Sequence, residues 1–175
     1  MASVYICLHI RGFGAADKIL KELFMKNISD LPLARAAAAL IEGEADTIAN
    51  MANIAALIWQ RVPDINWAGF YIFKDGMLVL GPFHGKPACA RIALGKGVCG
   101  TAAGKKQTIV VPDVYAFAGH IVCDTASQSE IVIPILKKDG SLFGVLDIDA
   151  PVKNRFTPQD QKDFEELAAI FANTL

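Results

Sequence analysis

The sequence contains no uninterrupted apolar run near the roughly 20 residues that a bilayer span requires, because Arg, Lys, Asp, Glu or turn residues break every candidate. No membrane partner is therefore expected. Excess basic charge is absent too: 17 Lys and Arg stand against 18 Asp and Glu, for a net charge of -1. Clustered Lys and Arg are what displace counterions from nucleic acid, so nucleic acid is not an expected partner either. Residues 3–10 are apolar, yet no basic residue precedes them and no small-residue cleavage site follows, which argues against a signal peptide and for a cytoplasmic location. Internal repeats and low-complexity linkers are missing. No two cysteines stand three apart, which excludes a thioredoxin-like motif.

What remains is a chain of 175 residues, long enough to bury one core without disulfide or metal staples. Ile19, Leu20, Leu23 and Phe24 form one apolar stripe at helix spacing, and Ile48, Met51, Ala55, Ile58 and Val62 form another that Pro63 closes. From Asn66 the pattern turns to short extended segments. Residues 66–73 and 77–82 flank Lys74-Asp75-Gly76, and residues 131–136 and 141–149 flank a turn ending in Gly140, so two antiparallel hairpins are expected. The tail predicts a helix with Thr157 as N-cap, Pro158 at its first position and Asp160 completing a capping box, presenting Phe164, Leu167, Ala168, Phe171 and Leu175. The expected fold is α+β: a central antiparallel sheet with two helices on one face and the other face left for a ligand. Residues 81–128, rich in glycine, make a long loop-bearing stretch of the kind that carries function.

Three of the four cysteines, Cys89, Cys99 and Cys123, fall in that stretch. A buried free cysteine often serves only as a small apolar filler. A zinc site completed by His84 or His120 is a competitor, but the cysteine spacings lack the close pairs of zinc modules, and no metal is assigned. Redox catalysis remains, in which one thiolate attacks an oxidised substrate and a second thiol resolves the product into a disulfide. Sulfoxide chemistry also needs acid groups, since the departing oxygen must be protonated or strongly hydrogen-bonded. Asp147 and Asp149 stand two apart on an extended segment and share one face, with Leu146 and Ile148 on the other. The alternatives are a solvated pair at a strand end and, for Glu130, a polar strand cap. Trp67 and Tyr71 form an aromatic wall, with Gly69 leaving a gap suited to a methyl group, or else a plain core pair. Arg91, Lys96, Lys105 and Lys106 read as solvated surface, while Asp113 and His120 either orient partners or cap turns.

The segments Asn66-Trp-Ala-Gly-Phe-Tyr71, Gly85-Lys-Pro-Ala-Cys89, Gly97-Val-Cys99-Gly-Thr-Ala102, Gly119-His-Ile-Val-Cys123-Asp, Ser129-Glu-Ile-Val132 and Gly144-Val-Leu-Asp-Ile-Asp149 together resemble the free methionine-R-sulfoxide reductases, a family of GAF domains. The resemblance runs from about Glu44 to the C-terminus. It implies a GAF fold over residues 44–175, reduction of the free amino acid's R-sulfoxide with no bound cofactor, and recycling by thioredoxin or another external dithiol. Residues 1–43, expected as an N-terminal helical extension, depart from the compact N-terminus of that family, and a homodimer is expected through exposed helix stripes. Cys123 becomes the attacking thiol, Cys89 the main resolving one and Cys99 an alternate. Trp67 and Tyr71 would line the methyl pocket, and Glu130, Asp147 and Asp149 would bind the sulfoxide and ammonium ends. Cys7 belongs to no motif of that family. A non-catalytic GAF sensor is the rival expectation.

Overall fold

The computed structural model describes residue 28, residues 30–121 and residues 123–175. The stripe of Ile19, Leu20, Leu23 and Phe24, and Cys7, lie outside the described residues. Among the described residues four α-helices, α1 (Leu33–Ile41), α2 (Thr47–Arg61), α3 (Gly97–Lys105) and α4 (Pro158–Ala172), surround six strands. The strands are β1 (Trp67–Lys74), β2 (Met77–Gly85), β3 (Arg91–Ala93), β4 (Ile109–Val111), β5 (Ser129–Leu136) and β6 (Leu142–Ala150). They form one sheet in the order β3-β2-β1-β6-β5-β4, with every neighbouring pair antiparallel. Both expected hairpins are present. In the first, Asp75 and Gly76 take φ of 51° and 79°, the paired positive values of a two-residue turn whose twist matches the strands it joins.

Local signals set the helix ends. Asp46 caps α2 by accepting from the Ala49 amide at 2.8 Å, and the helix stops at Arg61, two residues before Pro63. In α4 the Thr157 side chain accepts from the Asp160 amide while the Asp160 carboxylate accepts from the Thr157 amide, the expected capping box with Pro158 at the first position. Phe164, Leu167, Ala168 and Phe171 of α4 are buried. The stripe on α2 needs correction: Met51, Ala55 and Ile58 are buried, but Ile48 is 54% exposed. The buried face is centred instead on Met51, Ile54 and Ile58, about a quarter turn away from Ile48.

Strand alternation divides the interior into two cores. Ala68, Phe70, Ile72, Ile131, Ile133, Ile135, Leu146 and Ile148 face α1, α2 and α4. Trp67, Tyr71, Val132 and Val145 face the other way, against Val98, Cys99, Ala102 and Ala103 of α3. The second face is thus largely covered by a helix that the glycine-rich stretch concealed. The ligand space is confined to one end of the sheet. Among the described residues no helix is long and apolar enough to cross a membrane.

Phe171 joins the helix layer to the sheet, with its ring 5.4 Å from that of Phe70 and 5.6 Å from that of Phe143. Replacing it by Ala removes that bridge and leaves a cavity, which should cost about 3–5 kcal/mol. Urea unfolding measures the loss, and a change below about 1 kcal/mol would contradict this packing account.

Candidate active site

The pocket forms where β1 and β5 begin and β6 ends. Register places Trp67 opposite Asp149, and Asp149 opposite Glu130, in one row across three strands. The next row on the same face holds Gly69, Asp147 and Val132. Side chains opposite each other on an antiparallel pair stand roughly 5 Å apart, so pairing alone gathers the three carboxyls on one floor. Leu146 and Ile148 meanwhile point into the helix-side core, as the spacing of the two aspartates requires.

Neither solvated alternative for these acids holds. Asp147 is 6% exposed and Glu130 5% exposed, and both line the pocket with Asp149. Burial is the main force on all three, pushing their pKa values up. Asp147 rises to about 7, although hydrogen bonding from Cys99 and Glu130 works the other way. Glu130 and Asp149 are driven well above the carboxylate range by burial and then by the charge of Asp147. These groups hold protons at pH values where free carboxyls have lost them. Asp147 Oδ1 has no hydrogen-bond partner, which leaves a buried acceptor facing the pocket.

The N-terminal end of α3 walls one side and brings Cys99, whose thiol donates to Glu130 Oε1 at 3.8 Å. Burial first, and then the charge of Asp147, keep this thiol protonated. Two segments without helix or strand cover the rest, one carrying Cys89 and the other Cys123. The Cys123 thiol donates to the Cys89 sulfur at 2.6 Å, so these two cysteines meet as free thiols. Cys123 as a residue is exposed, but its sulfur turns inward, and desolvation followed by the Cys89 hydrogen bond pushes its pKa up to about 12. In this arrangement Cys123 is held as a thiol rather than a thiolate.

Trp67 and Tyr71 are buried and stacked, with ring centroids 5.9 Å apart. The gap expected over Gly69 is not open. The Trp67 ring and Phe83 fill it so closely that a Cβ at position 69 would collide with both, and Phe83 stacks on Trp67 at 5.2 Å. Glycine is required there for close approach, and the aromatic wall has three members. Phe83 was not singled out in the sequence because it faces Gly69 only through the strand register.

His84 lies away from the pocket: it pairs with Ala68 on the helix side and stacks against Trp59 at 6.1 Å. His120 does line the pocket; its Nδ1 is buried without a partner, and burial lowers its pKa. Asp113 caps the turn Val114–Ala116 and pairs with Lys153 at 2.6 Å. Arg91, Lys96, Lys105 and Lys106 are exposed, with Lys96 at the pocket rim. Among the described residues the group with cation-ligand spacing is Cys99, Glu130 and Asp147, whose donor atoms lie within 4.8 Å of one another. That set is not the cysteine-rich one a structural zinc would use.

Sequence reasoning also passed over the network beside the thiols. Asp124 accepts from Lys86 Nζ at 3.2 Å, Asn66 Nδ2 at 3.2 Å and the Ala126 amide at 2.9 Å. Asn66 Nδ2 also donates to Ser127 Oγ at 3.0 Å. Lys86 and Asp124 each stood inside a cysteine motif. Only the fold shows that they meet.

The retained protons make stability depend on pH. Between about pH 4 and pH 7 the unfolded chain has released the Asp147 proton and the folded chain keeps it, so stability falls as pH rises through that window and levels off above it. Asp147→Asn should shrink the fall in urea midpoint between pH 5 and pH 8, leaving the part due to Glu130 and Asp149. An unchanged fall would show that Asp147 ionises normally.

The family pattern described as GAF domain matches residues 33–175. The free methionine-R-sulfoxide reductase of Escherichia coli is 51% identical over 137 residues, covering 78% of this chain and 82% of that one. A structure of fRMsr of Staphylococcus aureus in complex with substrate superposes with a TM-score of 0.78 at 48% identity, covering 82% of this chain and 93% of the other. The free methionine-R-sulfoxide reductase of Neisseria meningitidis in complex with its substrate gives a TM-score of 0.78 at 38% identity, covering 95% of each chain.

Proposed function

The chain belongs to the GAF-domain family and, within it, to the free methionine-R-sulfoxide reductases, and from that membership we propose that it reduces free methionine-R-sulfoxide to methionine. The observation that supports the reading best is Cys123 lining one pocket with three proton-retaining carboxyls while its sulfur meets that of Cys89.

Three parts of the substrate have a counterpart. Trp67 and Tyr71, with Phe83 stacked against Trp67, offer an apolar wall to the S-methyl group. Glu130, Asp147 and Asp149 serve the ammonium and the sulfoxide oxygen. An arriving ammonium favours ionisation of a carboxyl beside it, and the proton released is one the sulfoxide oxygen needs. A peptide-embedded methionine has a neutral amide in place of the ammonium and gains nothing from these acids, so the free amino acid is preferred.

The Cys123 sulfur attacks the sulfoxide sulfur, forming an S–S bond, as the oxygen takes a proton from the carboxyl floor and the Cys123 proton returns to that floor. The adduct collapses by breaking this S–S bond while the hydroxyl passes from the substrate sulfur to Cys123, so methionine departs, reduced by two electrons, and Cys123 is left as a sulfenic acid, oxidised by two. The Cys89 thiol then displaces water to form a Cys89–Cys123 disulfide, with Cys99 as an alternate partner. An external dithiol such as thioredoxin takes over the disulfide and restores both thiols, so no resident cofactor takes part. A reducing cytoplasm is the compartment that supplies such a dithiol. A homodimer is part of the same proposal, with the exposed Ile48 and Trp59 of α2 as its apolar contacts.

The deciding experiment offers separated free R and S methionine sulfoxides and a peptide-bound sulfoxide to the reduced protein with dithiothreitol, and measures methionine release. Turnover of the free R form alone is expected. Cys123→Ser should abolish it, by at least about a thousandfold, with the circular dichroism spectrum unchanged. Turnover retained by the serine variant would remove Cys123 from the mechanism, and no turnover of any sulfoxide would favour a ligand-sensing GAF domain.

A further inference from the structure

Neither of the segments that carry Cys89 and Cys123 has a strand or helix at its cysteine. The sheet ladder therefore does not hold the two sulfurs together. A different set of bonds does. Lys86 stands three residues before Cys89, and Asp124 directly follows Cys123. Lys86 Nζ and Asp124 Oδ1 meet at 3.2 Å. A chain spans at most about 3.6 Å per residue, so a tether at Lys86 restricts Cys89 to a radius of about 11 Å. The Lys86 carbonyl is fixed as well, since it accepts from Trp67 Nε1 at 3.2 Å.

Asp124 is the node of the arrangement. Its carboxylate gathers Lys86 from one segment, the Ala126 amide from its own segment and Asn66 from the entry to β1. Asn66 in turn bonds the buried Ser127. Every donor is thus tied to the sheet or to a cysteine segment. The Lys86 side chain is 67% exposed, so the pair adds little to global stability. Its consequence is local.

We propose that Lys86 and Asp124 form a latch between the two cysteine segments, and that these positioning residues fix the Cys89 sulfur against Cys123 and so set the ease of disulfide closure. The relevance of the latch to turnover rests on the reductase reading above. The latch itself does not, because closure can be driven by another oxidant: two thiols and glutathione disulfide give the Cys89–Cys123 disulfide and two molecules of glutathione, with the two electrons passing to glutathione.

The test equilibrates the full chain in glutathione redox buffers, maps the disulfide by peptide mass, and compares wild type with Lys86→Met, Lys86→Arg and Asp124→Ala. The closure constant should fall about threefold in Lys86→Met and tenfold or more in Asp124→Ala, which loses all three donors. Lys86→Arg should match wild type, and 1 M salt should bring wild type down towards Lys86→Met. Thermal melting of Lys86→Met should be unchanged, which separates positioning from general weakening. Equal closure constants for Lys86→Met and wild type would overturn the latch, as would Lys86→Arg performing no better than Lys86→Met. Should Asp124→Ala fail to fold, the two lysine variants decide the matter alone. In sulfoxide assays the Lys86→Met variant should release its first equivalent of methionine at the wild-type rate and slow only in later turnovers. Absence of methionine release by the wild type would count against the reductase reading and leave the latch standing, whereas a first equivalent released as slowly by Lys86→Met as its later ones would count against a role confined to disulfide closure.

Discussion

Three carboxyl groups and a thiol share one buried corner of the sheet, and the cost of charging them together governs the arrangement around them. Desolvation and mutual repulsion both favour the protonated forms. Carboxyls gathered on one floor in this way retain protons that solvated carboxyls would release. Cys99 fits the same pattern, since its thiol donates to Glu130 and is itself held protonated by its surroundings.

That floor has to be stiff, because protonation states this displaced depend on water being kept out. The acids sit on β5 and β6, strands covered on one side by α1, α2 and α4 and on the other by α3. The thiols are mounted differently, on cover segments held by a few hydrogen bonds and one ion pair. The division suits the cycle proposed above, in which the acids keep one geometry while Cys89 and Cys123 change their bonding.

Local patterns made much of this legible in the sequence. The Asp75-Gly76 turn, the Thr157 capping box and the shared face of Asp147 and Asp149 depend only on neighbours in the chain, and each is where its pattern requires. The α2 stripe departs from the structure at Ile48 because Ile54 and Leu57, which lie outside that stripe, carry the buried face round the helix. The filling of the space over Gly69 was out of reach, since it depends on Phe83 arriving from the facing strand. The protonation of the acids was hidden for a similar reason: it is a product of burial under α3 and two loops. Lys86 and Asp124 are 38 residues apart in segments with no periodicity, so no pattern links them.

The two tight reversals, at Asp75-Gly76 and at residues 137–141, lie at the end of the sheet opposite the pocket. Strands of eight or nine residues put about 20 Å between them and the sulfurs. The molecule thus has a chemical pole and an inert pole. A fluorophore, affinity peptide or surface anchor attached at the inert pole would report on or immobilise the protein without crowding the pocket.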